Sequence, residues 1–236
     1  MLNNKPVLGI LGGLGPMATA YFYELVTGHT VAHADSEHID IVISSHASTP
    51  DRTAFILGES EDDPREFMIE DAKRLQEWGC DFIAIPCNTA HYFYDSIADN
   101  VSIPVLNIVE ETAKFLNDEG IKRVGLLATD GTVCSHTYEK YLKKFGIECI
   151  VPNPDDQKTV MHIIYDQIKE GRPADIQAFY GVVNNLKESG AQALILGCTE
   201  LPIVADSLPV EGPFIDPTAE LAKAAIRFCG YGVRGE

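Results

Sequence analysis

Nothing in this chain of 236 residues approaches the eighteen or so consecutive apolar residues of a membrane-spanning helix. Positive charge is scarce: 18 Lys and Arg against 35 Asp and Glu leave a formal net charge of −17. Nucleic acids and anionic membranes are bound through basic patches, so neither is expected as a partner. A small anionic substrate stays open, provided its site is locally positive. No two of the six cysteines form a CxxC pair, which removes the spacing of a zinc site or a thioredoxin-like dithiol. The chain is too large to need disulfide staples, so free thiols are expected, with Cys80, Cys149 and Cys229 as core fillers among apolar neighbours. HExxH is also missing. His29 and His33 are four apart, but no glutamate follows His29, and they are read as a solvated face rather than metal ligands. The N-terminus leads straight into a strand with no room for a signal peptide, so the expected location is cytoplasmic.

What is present is an ordinary globular composition, 45% hydrophobic and 22% charged, long enough for one large domain or two small ones. Residues 7–10 read as a strand entering Leu11-Gly12-Gly13-Leu14-Gly15-Pro16, with a helix to about residue 33 that Pro16 can open. Gly13-x-Gly15-x-x-Ala18 falls short of a dinucleotide fingerprint. Proline follows the second glycine, and the next strand, over 39–45, ends in serines and His46 rather than a ribose-binding acid. These glycines are expected instead to let backbone approach a carboxylate at a helix N-terminus. The polar loop from His46 to Thr53 carries a lone arginine, Arg52, beside hydroxyl residues, and its planar fork suits a carboxylate.

A helix to about residue 78 follows, with apolar spacing at Phe67, Ile69 and Leu75, then a strand ending at Pro86. A helix is predicted over 89–98 and a strand over 103–108, interrupted by Asn107. At residue 123 the pattern restarts. Arg123-Val-Gly125-Leu-Leu-Ala-Thr129-Asp-Gly131-Thr132 echoes the opening strand and glycine turn about 115 residues on. A helix to about 145, a strand over 147–152, helices over 156–169 and 174–189, and a strand to Gly197 complete the echo. Asp216 and Pro217 then cap and open a helix reaching about Cys229. Alternating strands and helices define an α/β class with mainly parallel sheets. The expected architecture is two similar lobes related by a pseudo-twofold repeat: residues 1–106 plus 212–236, and residues 107–211, with the site in the cleft between them.

Two cysteines organise this repeat. Cys87 ends Phe82-Ile-Ala-Ile-Pro-Cys87-Asn88-Thr89, and Cys198 ends Ala193-Leu-Ile-Leu-Gly-Cys198-Thr199-Glu200, each about 75 residues after the opening strand of its half. Open α/β folds place ligands at the carboxyl ends of parallel strands. Two thiols facing one ligand from opposite sides suit proton removal from one face of a carbon and delivery to the other. One would rest as thiolate and the other as thiol, since thiol pKa values are tunable toward neutrality. Asn88, Thr89, Thr132 and Thr199, with nearby backbone N–H groups, are candidate donors to the developing negative charge. Asp51 and Glu200 are candidate orienters of the thiols, with helix capping as the alternative role of both.

These motifs, together with Gly9-Ile-Leu-Gly12-Gly13-Leu-Gly15-Pro16, Pro50-Asp51-Arg52-Thr53 and Ala128-Thr129-Asp-Gly131-Thr132, resemble the aspartate/glutamate racemase family of amino-acid racemases that use no pyridoxal phosphate. The resemblance runs from residue 9 to residue 217. It implies cofactor-independent racemisation of an acidic amino acid, aspartate before glutamate, with Cys87 and Cys198 as the two acid–base residues. It further implies that Arg52 binds a substrate carboxylate, that Asn88, Thr89, Thr129, Thr132 and Thr199 line the site, and that the protein is a homodimer. Lys169 matches, by context, a lysine that helps hold the side-chain carboxylate. Thr129, Glu200 or a backbone carbonyl would hold the ammonium group. Three alternatives stand beside this: a racemase of glutamate or broader range, a cysteine-dependent dicarboxylate decarboxylase or cis–trans isomerase, and a cysteine hydrolase with His91 as the base of Cys87. A non-catalytic binding protein would leave two reactive thiols without a role.

Overall fold

The computed structural model describes residues 5–205 and 214–235. Strands β1 (Leu8–Gly12), β2 (Ile41–Ser45), β3 (Phe82–Ala84) and β4 (Val105–Leu106) form one parallel sheet in the order β2-β1-β3-β4. Strands β5 (Arg123–Leu127), β6 (Glu148–Ile150), β7 (Ala193–Leu196) and β8 (Phe214–Ile215) form a second in the order β6-β5-β7-β8. The identical order makes the sequence repeat a structural one. Each lobe is a parallel sheet flanked by helices.

Strand side chains alternate between two faces, and in the central strands β1, β3, β5 and β7 both faces are buried, as is usual for parallel sheets. Leu8, Ile10, Phe82 and Ala84 of the first sheet share one core with Val124, Leu126, Ala193 and Ile195 of the second. Between the sheets lie α1 (Pro16–His29), α5 (Ile108–Asp118), α7 (Thr137–Leu142) and α11 (Pro217–Phe228), whose Phe22, Val109, Tyr138 and Leu221 belong to that core. The alternate residues of the first sheet, Leu11, Ile83 and Ile85, pack outward on Met68, Ala72 and Leu75 of α3 (Arg65–Glu77) and Ile97 of α4 (Tyr94–Ala98). In the second sheet Leu127, Leu194 and Leu196 pack outward on Val160 of α8 (Pro154–His162) and on Phe179, Val183 and Leu186 of α9 (Ile176–Glu188). No helix among the described residues is long and apolar enough to cross a membrane.

Several sequence expectations change in detail. Helix α1 stops at His29, and Thr30 bridges to Val233. The buried stripe of α3 is Met68, Ala72 and Leu75, leaving Phe67 at the surface. The strand expected over 103–108 is only β4, because Asn107 caps α5 by accepting from Val109 and Glu110 N–H. The helix expected to 145 breaks at His136, whose φ of 52° is left-handed, so α6 (Asp130–Cys134) and α7 are separate. Strand β8 pairs with β7, so residues 214–215 belong to the second sheet rather than to the first lobe with 212–236; the helix that follows, α11, packs on α1 and α5. As expected, Asp216 caps α11 and Pro217 opens it. Residues 206–211, assigned to the second lobe, and 212–213 lie outside the described residues.

Candidate active site

The carboxyl ends of β3 and β7 point into one cleft. Its walls include Cys87, Asn88 and Thr89 from the first lobe and Gly197, Cys198, Thr199 and Glu200 from the second. Arg52, Thr129 and Lys169 also line it. Thr132 does not. Its hydroxyl lies 2.9 Å from that of Thr89 and 3.3 Å from that of Thr129, supporting both from behind. Sequence reading missed Leu14, Thr53 and Tyr165, which complete the wall with Asp51. Thr53 directly follows Arg52 in the polar loop and carried that much signal. Tyr165 had none, because within a helix its spacing looks like packing.

The two thiols are both buried but differently held. Cys198 donates its S–H to Glu200 Oε2 at 2.9 Å, and Thr199 Oγ1 donates to the same oxygen at 3.2 Å. Burial, then the adjacent Glu200 charge, pushes the Cys198 thiol well above its ordinary value, with Lys169 pulling the other way. Cys198 is therefore held as a thiol. At Cys87 the backbone carbonyl is held instead, accepting from His91 Nδ1 at 2.8 Å. Residues 89–93 form a short 3-10 turn that brings His91 back over Cys87.

This geometry excludes His91 as the base of a cysteine hydrolase. Its Nδ1 faces a carbonyl, which can only accept, and its Nε2 accepts from the backbone N–H of Ile108 at 3.1 Å. Burial lowers its pKa to about 4 against the opposing pull of backbone hydrogen bonds at Cys87 and Leu106. Both ring nitrogens are occupied by backbone, and neither reaches for the thiol's proton.

Arg52 is fixed by three backbone carbonyls. Its NH1 donates to Pro50 at 3.0 Å and Thr49 at 3.4 Å, and NH2 donates to Leu14 at 2.8 Å. Nε is buried without a partner, and no carboxylate pairs with the guanidinium among the described residues. Asn88 is similar: Oδ1 accepts from the Tyr138 hydroxyl at 2.6 Å, while the buried Nδ2 has no partner. Buried donors left unpaired are costly unless something in the cleft completes them. The glycine turn plays another part than expected. Gly13 takes φ 84° and packs where a Cβ would lie 2.4 Å from the His46 nitrogen, and its N–H donates to Thr19 Oγ1. It docks β1 against the end of β2 and leaves the neighbouring Leu14 carbonyl to Arg52.

On the opposite wall, a π-helical turn over Ile163–Ile168 continues α8. Such turns insert a residue and re-aim side chains. Here the Lys169 ammonium lies 4.0 Å from the Tyr165 ring centroid, and the Tyr165 hydroxyl is 3.5 Å from Asp51 Oδ2 across the cleft. Lys169 as a whole is exposed at the rim. Burial of its ammonium group opposes the charge, but Cys198, Tyr165, Glu200 and Asp51 hold its pKa above the usual lysine value. At the floor, Thr53 donates to Thr129, and Thr129 lies 3.1 Å from Thr89, so hydroxyls of both lobes meet between the two cysteine loops. No cluster of three or more His, Cys, Asp or Glu among the described residues could hold a metal.

A model of the Asp/Glu/hydantoin racemase family matches residues 11–225. The chain is 33% identical over 223 residues to RacX of Bacillus subtilis, a broad-specificity amino-acid racemase, covering 93% of this chain and 96% of that protein. The solved aspartate racemase of Picrophilus torridus superposes with a TM-score of 0.81 at 30% identity, covering 97% of this chain and 96% of that one. Glutamate racemase of Francisella tularensis, solved with D-glutamate, shares the fold at a TM-score of 0.69 and 21% identity, covering 96% of this chain and 81% of that one. A family match across nearly the whole length and a relative matched end to end lead to one conclusion: the chain belongs to the Asp/Glu/hydantoin racemase family and is an amino-acid racemase, an isomerase.

Proposed function

We propose that the substrate is an acidic amino acid, aspartate first, and that racemisation proceeds between Cys87 and Cys198 without a cofactor. The observation that carries this is the meeting of two thiols from equivalent strands in one cleft that also holds Arg52, Lys169, Asp51 and Glu200. An acidic amino acid carries two carboxylates and one ammonium group. Arg52 and the free Asn88 amide suit one carboxylate, and Lys169 suits the other. Asp51 and Glu200 supply acceptors for the ammonium group, which a decarboxylase of amine-free dicarboxylates would have no use for. Glutamate, or the broader range of the Bacillus relative, is the second reading, because one methylene is worth only about 1–3 kcal/mol of discrimination.

Cys198, protonated in the resting protein, is the first proton donor. Cys87 as thiolate removes the Cα proton of the enantiomer whose C–H faces it, becoming a thiol. The Cα–H electron pair passes into the carboxylate as an enediolate, met by Asn88, Thr89 and Thr199. Cys198 then gives its proton to the other face, inverting the centre and ending as thiolate. The opposite enantiomer runs the same steps in reverse, starting from the form that forward turnover leaves, with Cys87 as thiol and Cys198 as a thiolate that the Lys169 charge favours.

The test is solvent deuterium incorporation into L- and D-aspartate and L- and D-glutamate without pyridoxal phosphate, with chiral analysis of each product. Exchange with inversion, strongest for aspartate, supports the proposal. Loss of inversion in both Cys87→Ala and Cys198→Ala is required by it, and full two-way turnover in either variant would sink the two-base mechanism.

A further inference from the structure

His91 takes no part in these proton transfers, yet it is a buried histidine four residues beyond Cys87. Its two ring nitrogens join two loops at the carboxyl edge of the first sheet. Nδ1 donates to the Cys87 carbonyl, and Nε2 accepts from Ile108, the first residue of α5. The next two donors of that helix, Val109 and Glu110, are taken by the Asn107 side chain. Nothing is left unsatisfied in this turn, so the ring has one orientation. Its face stacks on Tyr94 at 5.9 Å, and the Tyr94 hydroxyl donates to Val105 of β4. Through α5, which packs on α7 and α11, the Cys87 loop is tied to the layer between the lobes. Among the described residues the second half has no counterpart. Four residues beyond Cys198 stands Pro202, and the Cys198 carbonyl accepts from the backbone of Leu201.

We propose that His91 is a positioning residue for Cys87 alone, locking the backbone from which that thiol reaches the substrate. The inference rests on Cys87 being one of the two acid–base groups. It requires an asymmetric defect: disturbing His91 impairs proton exchange on the Cys87 face and spares the Cys198 face.

The experiment measures α-proton exchange with retention in D2O for L- and D-aspartate, per folded protein, in Cys87→Ala, His91→Gln and His91→Asn. Cys87→Ala identifies the enantiomer that depends on Cys87. His91→Gln, whose amide sits too far out to serve the Cys87 carbonyl, is expected to slow exchange of that same enantiomer about tenfold or more relative to the other, the scale of a modest misplacement. His91→Asn, which presents an N–H where Nδ1 stood, is expected to restore most of it. Equal loss for both enantiomers, or loss confined to the other, overturns the proposal. Should the glutamine variant not fold, the asparagine variant decides: a ratio between enantiomers near wild type supports the proposal, and a defect on the Cys198-dependent enantiomer overturns it. If Cys87→Ala leaves exchange of both enantiomers intact, the two-base reading itself fails and the inference with it.

Discussion

Gly131→Ala tests how strictly the distance between the lobes must be kept. Gly131 lies in α6, and an alanine in a helix ordinarily gains about 1 kcal/mol over glycine. Here the added Cβ would lie 2.9 Å from both Cα and Oγ1 of Thr53 and 3.2 Å from its Cβ. Carbon atoms pack at about 3.5–4.0 Å, so α6 and α2 (Arg52–Ile56) must part by roughly 0.6–1 Å. Overpacking of this kind costs about 1–3 kcal/mol, which outweighs the helical gain. The melting temperature should fall by a few degrees, at about 2–4 °C per kcal/mol for a chain of this size. The larger effect is on rate. Thr53 and Gly131 touch beneath the cleft that holds both thiols, and a displacement on the order of 1 Å is worth about 100-fold. Racemisation should drop about 10- to 100-fold, while exchange with retention, which needs one thiol, falls less. The assay is the ratio of inverted to retained deuterated aspartate, beside thermal melts. Gly181→Ala, whose Cβ meets open space in α9, is the control and should stay near wild type. Unchanged racemisation with an unchanged or raised melting temperature in Gly131→Ala would refute the idea that this contact sets the width of the cleft.

Other outcomes follow from the site. Arg52→Lys keeps the charge and loses the fork, so kcat/KM for acidic substrates should fall about 10- to 100-fold, with neutral amino acids much less affected; equal losses would remove Arg52 from substrate binding. Glu200→Gln removes the charge that burial sets against the Cys198 thiolate, so alkylation of Cys198 by iodoacetamide near neutral pH should speed up about tenfold or more, and mass spectrometry of the labelled peptide would show whether it does. His91 has an acid signature of its own. Its folded pKa of about 4 lies below the ordinary 6.5, so the unfolded chain binds the extra proton, and stability is lost as pH falls from about 6.5 to about 4. That window contributes about 3 kcal/mol, at about 1.4 kcal/mol per unit. Denaturant melts of wild type and His91→Asn between pH 4 and 7 should converge toward the acid end, and parallel curves would contradict it.

Much of the fold was legible because parallel strands buried on both faces leave continuous apolar runs, and Gly, Pro and Asp mark the turns between them. The restart at Arg123 and the matched cysteines were enough to infer two similar sheets. Less legible was where an element yields to its cap. Asn107 in an apolar run looks like a polar interruption of a strand, and only the exposed donors of α5 turn it into a cap. His136 gives no local hint of a left-handed break, since its conformation follows from the packing of α6 and α7. The π-helical turn at Ile163–Ile168 is invisible to periodicity, and so Tyr165 was missed.

The sequence alone determined the chemistry on offer: two thiols after two buried strands, one arginine among hydroxyls, and no metal or dinucleotide motif. Those are local facts, carried by residue type and short-range spacing. Only the tertiary structure decided how they are used. It set His91 against backbone on both sides and so took away its role as a base, placed Thr132 behind the cleft wall, and joined Glu200 to Cys198 but not to Cys87. Each of these depends on contacts between loops many residues apart, and on burial that changes which protonation state is stable, quantities that no single stretch of chain contains.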